Sequence, residues 1–469
     1  MDNLCGFLGI VGTGTMGQEL ALNVSGRGCK VIVFDQNQKQ RQNLKDLGLN
    51  SVSSLANLVA ALPRPRVVLI MVPAGSAVDS VVEELFTLLQ DGDAVVDGGN
   101  SYFKDTQRRA AKAHDLSIYY YGAGISGGKE GARTGPAVML GGPEEGLPLV
   151  MPILSGLAAV REKRLGFLYC GNDGVGHFVK MVHNAVEYAI MQLQAEIYLI
   201  MRDLELMKAE EIAASFATLN SGRLRSSLMS MNVAILKYQD DRQEGLLLDV
   251  VLDRAKQSGT GRWAANSALE LGVPAPTLLA AVDARSLSMQ GELRKSLHLQ
   301  YSNISNPKIA KPNLDISDFE ATLFAGIICA FAEGFSLLEA GSQRYDWTSH
   351  FSFSAICDVW NSGSILEADI MNIIGPVWGR VKKGASLLED DQLAVTTMKT
   401  LPHARKTVTA AISAGIPIPA LSASLAYFDG IRKANSGANL IQAQRDCFGA
   451  HTYQRTDREG QFHSQWQES

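Results

Sequence analysis

The start of the chain contains the feature that most restricts the fold. An apolar run at residues 4–11 leads directly into Gly12-Thr13-Gly14-Thr15-Met16-Gly17, and a helical pattern follows. A strand, a G-x-G-x-x-G turn and a helix in this order are typical of a βαβ unit that binds a dinucleotide. Gly12 permits the tight turn, Gly14 lets the pyrophosphate approach the backbone, and Gly17 lets the helix pack on the strand. Free N–H groups at the helix start favour the phosphates.

Further apolar runs alternate with helical patterns through the first 150 residues. The runs at residues 30–35, 66–72 and 93–97 are rich in β-branched side chains and predict buried strands. This alternation predicts an α/β domain with a doubly wound, Rossmann-like parallel sheet. Long helical patterns dominate from about residue 176. We therefore predict a dinucleotide-binding domain at 1–176, an all-helical domain at 177–434 and an extended C-terminal tail at 435–469.

The helical region contains a weak repeat. Asn220-Ser221-Gly222 recurs as Asn361-Ser362-Gly363, and Gln194-Ala195-Glu196 aligns with Phe331-Ala332-Glu333. Two stacked copies of a helical unit would bury a continuous core, so an internal duplication is predicted. The alternative is chance matching between helices that are rich in alanine and leucine.

Composition excludes several classes of protein. Of the 469 residues, 46% are hydrophobic and 19% are charged, which indicates a large buried core. The net charge of −5 disfavours a sequence-independent nucleic-acid binder. Six scattered cysteines indicate a reduced, cytoplasmic protein. The best apolar run, residues 147–160, is broken by proline, serine and glycine, so we expect no membrane partner.

The residue after the second predicted strand bears on the choice of cofactor. Asp35 can accept hydrogen bonds from the adenosine ribose and repels a 2′-phosphate, and Gln36 and Asn37 add no positive charge. NAD is therefore favoured over NADP. In the alternative interpretation Asp35 only ends the strand, and Lys39 or Arg41 contacts a phosphate.

One predicted helix carries a row of polar side chains. Lys180, His183, Asn184 and Glu187 have the spacing i, i+3, i+4, i+7 and therefore share one face. This pattern indicates a catalytic helix, although a solvated charged face has the same spacing. Two glycine-rich stretches, 97–101 and 122–128, are predicted to line the same cleft with free backbone N–H groups.

Several longer motifs resemble the decarboxylating 6-phosphogluconate dehydrogenases. They are DGGNSYFKDTQRR at 97–109, GISGGKEGARTGPAVM at 124–139, GHFVKMVHNAVEY at 176–188, SGTGRW at 258–263 and IQAQRDCFGAHTYQR at 441–455. The resemblance extends over essentially the whole chain. It implies that 6-phosphogluconate is oxidised at C3 by NAD(P) and loses carbon dioxide to give ribulose 5-phosphate, without a metal.

The resemblance also implies roles for individual residues. Lys180 is expected to act as the general base and Glu187 as the acid. The sugar acid is expected to contact Asn100, Ser126, Gly127, Gly128, His183 and Asn184. Its phosphate is expected to contact Tyr188, Thr260, Arg285 and the neighbouring subunit's Arg445, with Ser258 and His451 nearby. The cofactor is expected to contact the turn at 12–17, Asp35, Gln36, Asn37, Pro73, Ala74, Gly75 and Asn100. The tail is expected to thread into a partner, giving a homodimer.

The chain departs from the family pattern at informative positions. Asp35-Gln36-Asn37 replaces an Asn-Arg-Ser/Thr segment, and Pro73 replaces a lysine. Both changes favour NAD, with NADP as the possible second cofactor. Ser258 replaces a phosphate-binding lysine, which Arg262 compensates in part. Ser258 therefore supports an alternative, a paralogue that acts on another β-hydroxy acid. A non-catalytic NAD-binding protein is the third interpretation.

Overall fold

The computed structural model of the chain describes residues 6–302, 312–348 and 350–466. Residues 4 and 5 of the first predicted strand, and the last three residues of the predicted tail, lie outside these ranges. The fold has two parts, a sheet domain and a helical domain, and this confirms the predicted fold class.

The strands lie in the first part of the chain. They are β1 Phe7–Val11, β2 Lys30–Phe34, β3 Asn50–Ser51, β4 Val67–Ile70, β5 Ala94–Asp97, β6 Tyr119–Ser126, β7 Ala137–Gly141, β8 Val160–Arg161, β9 Arg164–Leu165 and β10 Phe167–Gly171. Strands β8 and β9 form a separate hairpin, and the other eight form one sheet in the order β10-β7-β6-β5-β4-β1-β2-β3. The strands on either side of β1 are β4 and β2, so the chain order reverses there, as in a doubly wound sheet.

The helices of the sheet domain cover the sheet. They are α1 Thr15–Gly26, α2 Gln38–Asp46, α3 Leu55–Ala61, α4 Ser76–Leu88, α5 Phe103–Asp115, α6 Gly128–Thr134 and α7 Leu147–Leu157. Two separate apolar clusters pack on the sheet. One includes Leu20 of α1 and Leu154 of α7, and the other includes Leu58 of α3 and Leu85 of α4.

One strand pair departs from the predicted parallel arrangement. Strands β6 and β7 are antiparallel, with Gly122 opposite Gly141. The sequence predicts free backbone N–H groups at residues 122–128. Residues 122–126 instead belong to β6, where backbone groups are paired with the neighbouring strands. Only Gly127 lies in the turn before α6, and Gly128 is the first residue of that helix. The alternation of side chains along β6 is hidden in the sequence because three of its last five residues are glycine or alanine.

The second part of the chain is helical. Its helices are α8 Val175–Leu199, α9 Ala209–Asn220, α10 Ser227–Ile235, α11 Thr260–Glu270, α12 Pro276–Ser288, α13 Gly291–Ser302, α14 Ile316–Arg344, α15 Phe353–Trp360, α16 Met371–Ile374, α17 Asp391–Ser413, α18 Pro419–Ile431 and α19 Ala438–Gly449. A single apolar cluster surrounds α8 and α14, the two long central helices.

Helix α14 has the length and composition of a membrane span, which the sequence analysis did not consider. Its most apolar window is 94% buried inside the protein, where α8, α17 and α18 pack against it. Core helices of this kind meet the same criteria as membrane spans.

The repeat in the helical region corresponds to a reciprocal contact. Glu196 of α8 accepts hydrogen bonds from Ala420 N and Leu421 N at the start of α18, at 2.9 and 2.8 Å. Glu333 of α14 accepts from Thr277 N and Leu278 N at the start of α12, at 3.1 and 3.0 Å. Each glutamate is fully buried and satisfies the free N–H groups of a helix start in the other half.

The sequence around these two helix starts repeats as well. Residues 272–276 read GVPAP and residues 415–419 read GIPIP, and in both cases the last proline is the first helical residue. Proline is favoured at that position because its missing N–H is not needed there. The sequence analysis missed this second repeat, which supports the duplication more strongly than the Asn-Ser-Gly pair.

The C-terminal tail is folded on itself around one carboxylate. After α19 the chain returns so that the buried Asp446 accepts from Trp466 Nε1 at 2.7 Å, Ser464 N at 3.0 Å and Thr452 N at 2.9 Å. The tail is therefore not wholly extended as predicted, because a helix forms its first third. Apart from Asp446, the side chains of α19 are exposed or only half-buried.

The reciprocal contact predicts a pH-dependent stability. Burial raises the pKa of both Glu196 and Glu333 to about 7 from an ordinary value of 4.5, so the folded state favours the protonated form. Their contribution is complete below pH 4.5 and is lost as the pH rises through 7; it amounts to about 3 kcal/mol for each glutamate. The melting temperature should fall between pH 5 and pH 8.5. The double variant Glu196→Gln/Glu333→Gln should show a smaller fall.

The matched control is Glu84→Gln, which changes an exposed carboxylate on α4. It should keep the pH dependence of the wild-type protein. An equal fall in all three proteins, measured by circular dichroism, would contradict the assignment.

Candidate active site

The glycine-rich turn has the geometry of a phosphate-binding cradle. Gly12 has φ +88°, and a Cβ at this position would lie 2.6 Å from Val72 Cγ1. A Cβ at Gly17 would overlap the carbonyl oxygen of Gly12, so the helix must pass close to the turn. Around Gly14, by contrast, nothing lies within 4 Å of the Cβ position. Gly14 therefore leaves open space at the start of α1, and the residues fit a dinucleotide pyrophosphate.

The carboxylate of Asp35 organises this turn. It accepts from Thr13 N at 2.8 Å, Thr13 Oγ1 at 2.9 Å and Asn37 N at 2.8 Å. Arg41 donates to the carbonyl oxygens of Asp35 and Gln36, which holds its guanidinium under the β2–α2 loop. Asp35 thus does more than end the strand, since it fixes Thr13 and hence the turn.

Two further loops reach the same edge of the sheet. Pro73, Ala74 and Gly75 lie between β4 and α4. Asn100 is exposed in the loop between β5 and α5. This loop is anchored by the buried Asp97, which accepts from Ser101 Oγ at 2.7 Å and lies 3.4 Å from Arg109 Nη1.

Helix α8 lies directly on β6. A Cβ at Gly124 would overlap Cβ of Lys180, and a Cβ at Gly176 would overlap the carbonyl oxygen of Gly122. Because glycines permit this close approach, Lys180 is only 6% exposed. Burial lowers the pKa of Lys180 from 10.5 to about 8, while the charge of Glu187 opposes the shift. A lysine in this setting can exchange a proton near neutral pH.

The next polar residue along α8 is held by partners from both domains. His183 is fully buried, and its Nε2 lies 3.2 Å from both Ser126 Oγ of β6 and Ser364 Oγ. Its Nδ1 lies 3.1 Å from Asn184 Oδ1. Burial and the nearby Lys180 lower the pKa of His183 well below its ordinary value, so the ring is neutral.

Glu187 lies at the open end of this row. Its side chain is 21% exposed, and Oε2 is 3.8 Å from His183 Nδ1. Burial raises the pKa of Glu187 above 4.5, and the charges of Lys180 and Arg285 oppose the rise. The guanidinium of Arg285 stacks 3.3 Å above the ring of Tyr188. A cation and a protonatable carboxyl group therefore stand together at the end of the row.

The start of α11 approaches the same place. A Cβ at Gly261 would lie 2.9 Å from the ring of Tyr188. The hydroxyl of Thr260 is buried, and among the described residues it has no hydrogen-bond partner. Ser258 is exposed two residues before the helix. The start of α11 and the guanidinium of Arg285 thus both pack on the ring of Tyr188, and a hydroxyl at a helix N-terminus suits a phosphate group.

Two predicted site residues lie outside this cluster. Arg445 is exposed on α19, where it donates to Gln442 Oε1 at 3.1 Å. His451 is exposed just after α19 and packs against Phe448. Within the ranges that the structure describes, no hydrogen bond or ion pair joins either residue to the α8 row.

Sequence reasoning missed the residues that the second helical half brings to the site. Ser364 contacts His183, the backbone N–H of Ile365 lies 3.4 Å from Ser126 Oγ, and Trp360 packs edge-on against the His183 ring. These residues flank Asn361-Ser362-Gly363, so the repeated motif gave a signal. By itself, however, the repeat predicts only a duplication.

Comparison with known families covers nearly the whole chain. The NAD binding domain of 6-phosphogluconate dehydrogenase matches residues 7–171, and the 6-phosphogluconate dehydrogenase C-terminal domain matches residues 176–466. The chain belongs to the 6-phosphogluconate dehydrogenase family. The resemblance drawn from the sequence motifs is thereby confirmed.

Individual relatives within the family agree. The NADP(+)-dependent, decarboxylating 6-phosphogluconate dehydrogenase of Bacillus subtilis (strain 168) is 38% identical, with 98% of each chain covered. The NAD(+)-dependent, decarboxylating enzyme of the same organism is also 38% identical, over 98% of this chain and 99% of its own. Overall similarity thus supports NAD(P) binding without separating the two cofactors.

A solved structure matches the whole fold. Plasmodium falciparum 6-phosphogluconate dehydrogenase, described in apo form and in complexes with NADP+ and 6-phosphogluconate, superposes with a TM-score of 0.93 at 34% identity. The match covers 98% of this chain and 100% of that one.

Proposed function

We propose that the chain oxidises 6-phosphogluconate at C3 and decarboxylates it to ribulose 5-phosphate and carbon dioxide, with reduction of NAD(P). The observation that carries the proposal is Lys180, a buried lysine with a lowered pKa, which shares a helix face with His183, Asn184 and Glu187. Helix α8 packs on β6 and β7 of the same sheet whose first strand leads into the glycine-rich turn. The names of the full-length relatives support the same reaction.

In the proposed reaction, Lys180 acts as the base and Glu187 as the acid. Neutral Lys180 takes the proton of the C3 hydroxyl at Nζ. A bound nicotinamide supplies the acceptor for the hydride that leaves C3. The resulting 3-keto acid loses carbon dioxide, and protonated Lys180 stabilises the charge that develops on the keto oxygen. Glu187, whose pKa is raised by burial, then protonates C1 of the enediolate, and the electron pair on the oxygen re-forms the carbonyl of ribulose 5-phosphate.

Other residues orient the substrate. Neutral His183, fixed by Ser126 and Ser364, presents a ring of defined orientation next to Asn184, and both suit the hydroxyl groups of a sugar acid. Thr260 and Arg285 suit the phosphate because they combine a hydroxyl that has no partner among the described residues with a cation stacked on Tyr188.

We infer a preference for NAD over NADP. The carboxylate of Asp35 is held at the end of β2 by Thr13 and Asn37, where it would face the adenosine ribose of a bound cofactor and repel a 2′-phosphate. Arg41 is occupied with backbone carbonyls of the same loop, and Pro73 carries no charge.

We propose a cytoplasmic homodimer, and the tail supports the dimer. Leu440, Ile441 and Phe448 of α19 are 60–75% exposed, which is unfavourable unless another surface covers them. Arg445, on the same helix, would then reach the partner's Thr260 and Arg285 site. The dimer would be obligate, because each phosphate site would be incomplete without it.

Ser258 supports a second candidate, a dehydrogenase for a different β-hydroxy acid. A lysine at this exposed position would add a cation near Thr260, and the loss of a charge-assisted hydrogen bond costs roughly 1.5–3 kcal/mol. A substrate without a phosphate would not be affected by this loss.

Turnover is the first test. With 6-phosphogluconate, the purified protein should reduce NAD faster than NADP and release one carbon dioxide for each reduced cofactor. Lys180→Met should lower kcat by at least about 1,000-fold, because the proton acceptor is lost, while NAD binding stays unchanged. Absence of turnover with both cofactors would reject the proposed substrate and favour the second candidate.

The pH dependence tests the role of Lys180. Because the neutral amine is the reactive form, the rate of the first turnover should fall below pH 8 with unit slope. The carboxylate of Glu187 stabilises the Lys180 cation, so Glu187→Gln should lower the pKa of Lys180 and move the limb to lower pH. Stopped-flow measurement of the reduced nicotinamide gives both profiles. An unmoved limb in the variant would contradict this coupling.

Mixed dimers test the tail. Lys180→Met and Arg445→Ala homodimers should both be nearly inactive. After unfolding and refolding together in equal amounts, about a quarter of wild-type activity should return, since each heterodimer then contains one complete site. No recovery would place Arg445 in the site of its own chain, and an active Arg445→Ala homodimer would place it outside the reaction.

A further inference from the structure

We propose that Lys129 is the cation that pairs with the pyrophosphate of the bound dinucleotide. The inference rests on the proposed use of NAD(P). It adds a residue that would bind NAD and NADP equally well. Neither the G-x-G-x-x-G motif nor the residues of the α8 row include it.

Lys129 lines a groove at the glycine-rich turn. The groove has a volume of about 450 Å³, and its walls are Thr13, Gly14, Thr15, Gln18, Glu19, Asp35, Asn37, Gln40 and Lys129. Thr15 is the first residue of α1, so the groove begins where the helix presents its free N–H groups. A pyrophosphate on Gly14 would lie inside this groove.

Three of the residues in the wall are charged, and only Lys129 is positive. The carboxylate of Glu19 lies 4.0 Å from Arg133, and that of Asp35 accepts three hydrogen bonds. Within the described ranges, the ammonium group of Lys129 has no ion pair or hydrogen bond to another residue. The groove therefore holds a positive charge that the protein itself does not neutralise.

Lys129 is carried by a helix with a fixed position. Asn23 of α1 donates to Ala132 O of α6 at 2.9 Å, and Arg27 donates to Thr134 O at 3.1 Å. At the other end, a Cβ on Gly127 would lie 2.6 Å from Gly363 O, so the start of α6 is wedged against the helical domain. Lys129 is the second residue of α6 and consequently stays across the groove from the start of α1.

The distribution of charge selects the pyrophosphate rather than a 2′-phosphate. The ribose end of the groove holds the carboxylate of Asp35, whereas the end at Thr15 has the partial positive charge of α1. Pro73 supplies no cation on the far side of the turn. Without Lys129, the two negative charges of the pyrophosphate would interact with backbone N–H groups alone.

Binding measurements without substrate test the assignment. Calorimetric titration of the full-length protein with NAD, NADP and ADP-ribose should show each ligand bound about tenfold more weakly by Lys129→Gln, the scale expected of a charge-assisted contact. The matched control is Lys112→Gln on α5, which removes an exposed lysine that is not part of the groove wall; its affinities should stay within twofold of wild type. The melting temperatures of both variants report correct folding.

Each outcome decides the point. Equal weakening of all three ligands supports the pyrophosphate contact. Weaker binding of NADP alone would place Lys129 at the 2′-phosphate. Unchanged affinities for all three ligands would show that Lys129 is not part of the site. Either result overturns the proposal. Failure of the wild-type protein to bind any of the ligands would instead refute the proposed cofactor and this inference together.

Discussion

The contact between α8 and β6 is the constraint on which the rest of the site depends. Glycines at 124 and 176 remove the side chains that would hold the helix away from the sheet. The helix therefore seals Lys180 against the sheet, and exclusion of water destabilises its charged form. Chemistry that requires a neutral amine near neutral pH thus follows from a steric property of two glycines. Any larger side chain at either position would open the contact and rehydrate the lysine.

The same helix connects the site to the stability of the helical domain. Its first half carries the polar row, and its last turns carry Glu196, which caps a helix of the other repeat. The second repeat in turn sends Ser364 back to His183. Movement of one half relative to the other would therefore disturb both the cap and the histidine. The polar row therefore lies on a deeply packed helix rather than on a loop.

Local patterns predicted much of this organisation. The strand–turn–helix pattern at Gly12 predicts the fold of the first domain, because glycine is needed at those spacings only where backbone segments approach closely. The i, i+3, i+4, i+7 spacing from Lys180 gave the shared face, because helix geometry alone determines it. Asp35 was correctly placed after its strand, but its bonds to Thr13 depend on how the β2–α2 loop folds back.

Long-range contacts could not be obtained in this way. The antiparallel pairing of β6 with β7 depends on which sheet edge is free, and no local pattern encodes that choice. Ser364 lies 181 residues from His183. Glutamate side chains are ordinarily exposed to solvent, so the residue type does not predict that Glu196 and Glu333 are buried. In each case the decisive partner lies in a distant segment.

The reciprocal caps have a consequence for the origin of the helical domain. Residue i of one half contacts residue j of the other, and the equivalent of j contacts the equivalent of i, which is the rule for an isologous dimer interface. The domain therefore has the form of a symmetric dimer joined into one chain. Glu196 and Glu333 are 137 positions apart, which pairs Lys180 with Ser317 and Glu187 with the buried Phe324. One of the two equivalent helices thus carries the polar row, whereas its twin places an apolar ring in the core at the position that corresponds to Glu187.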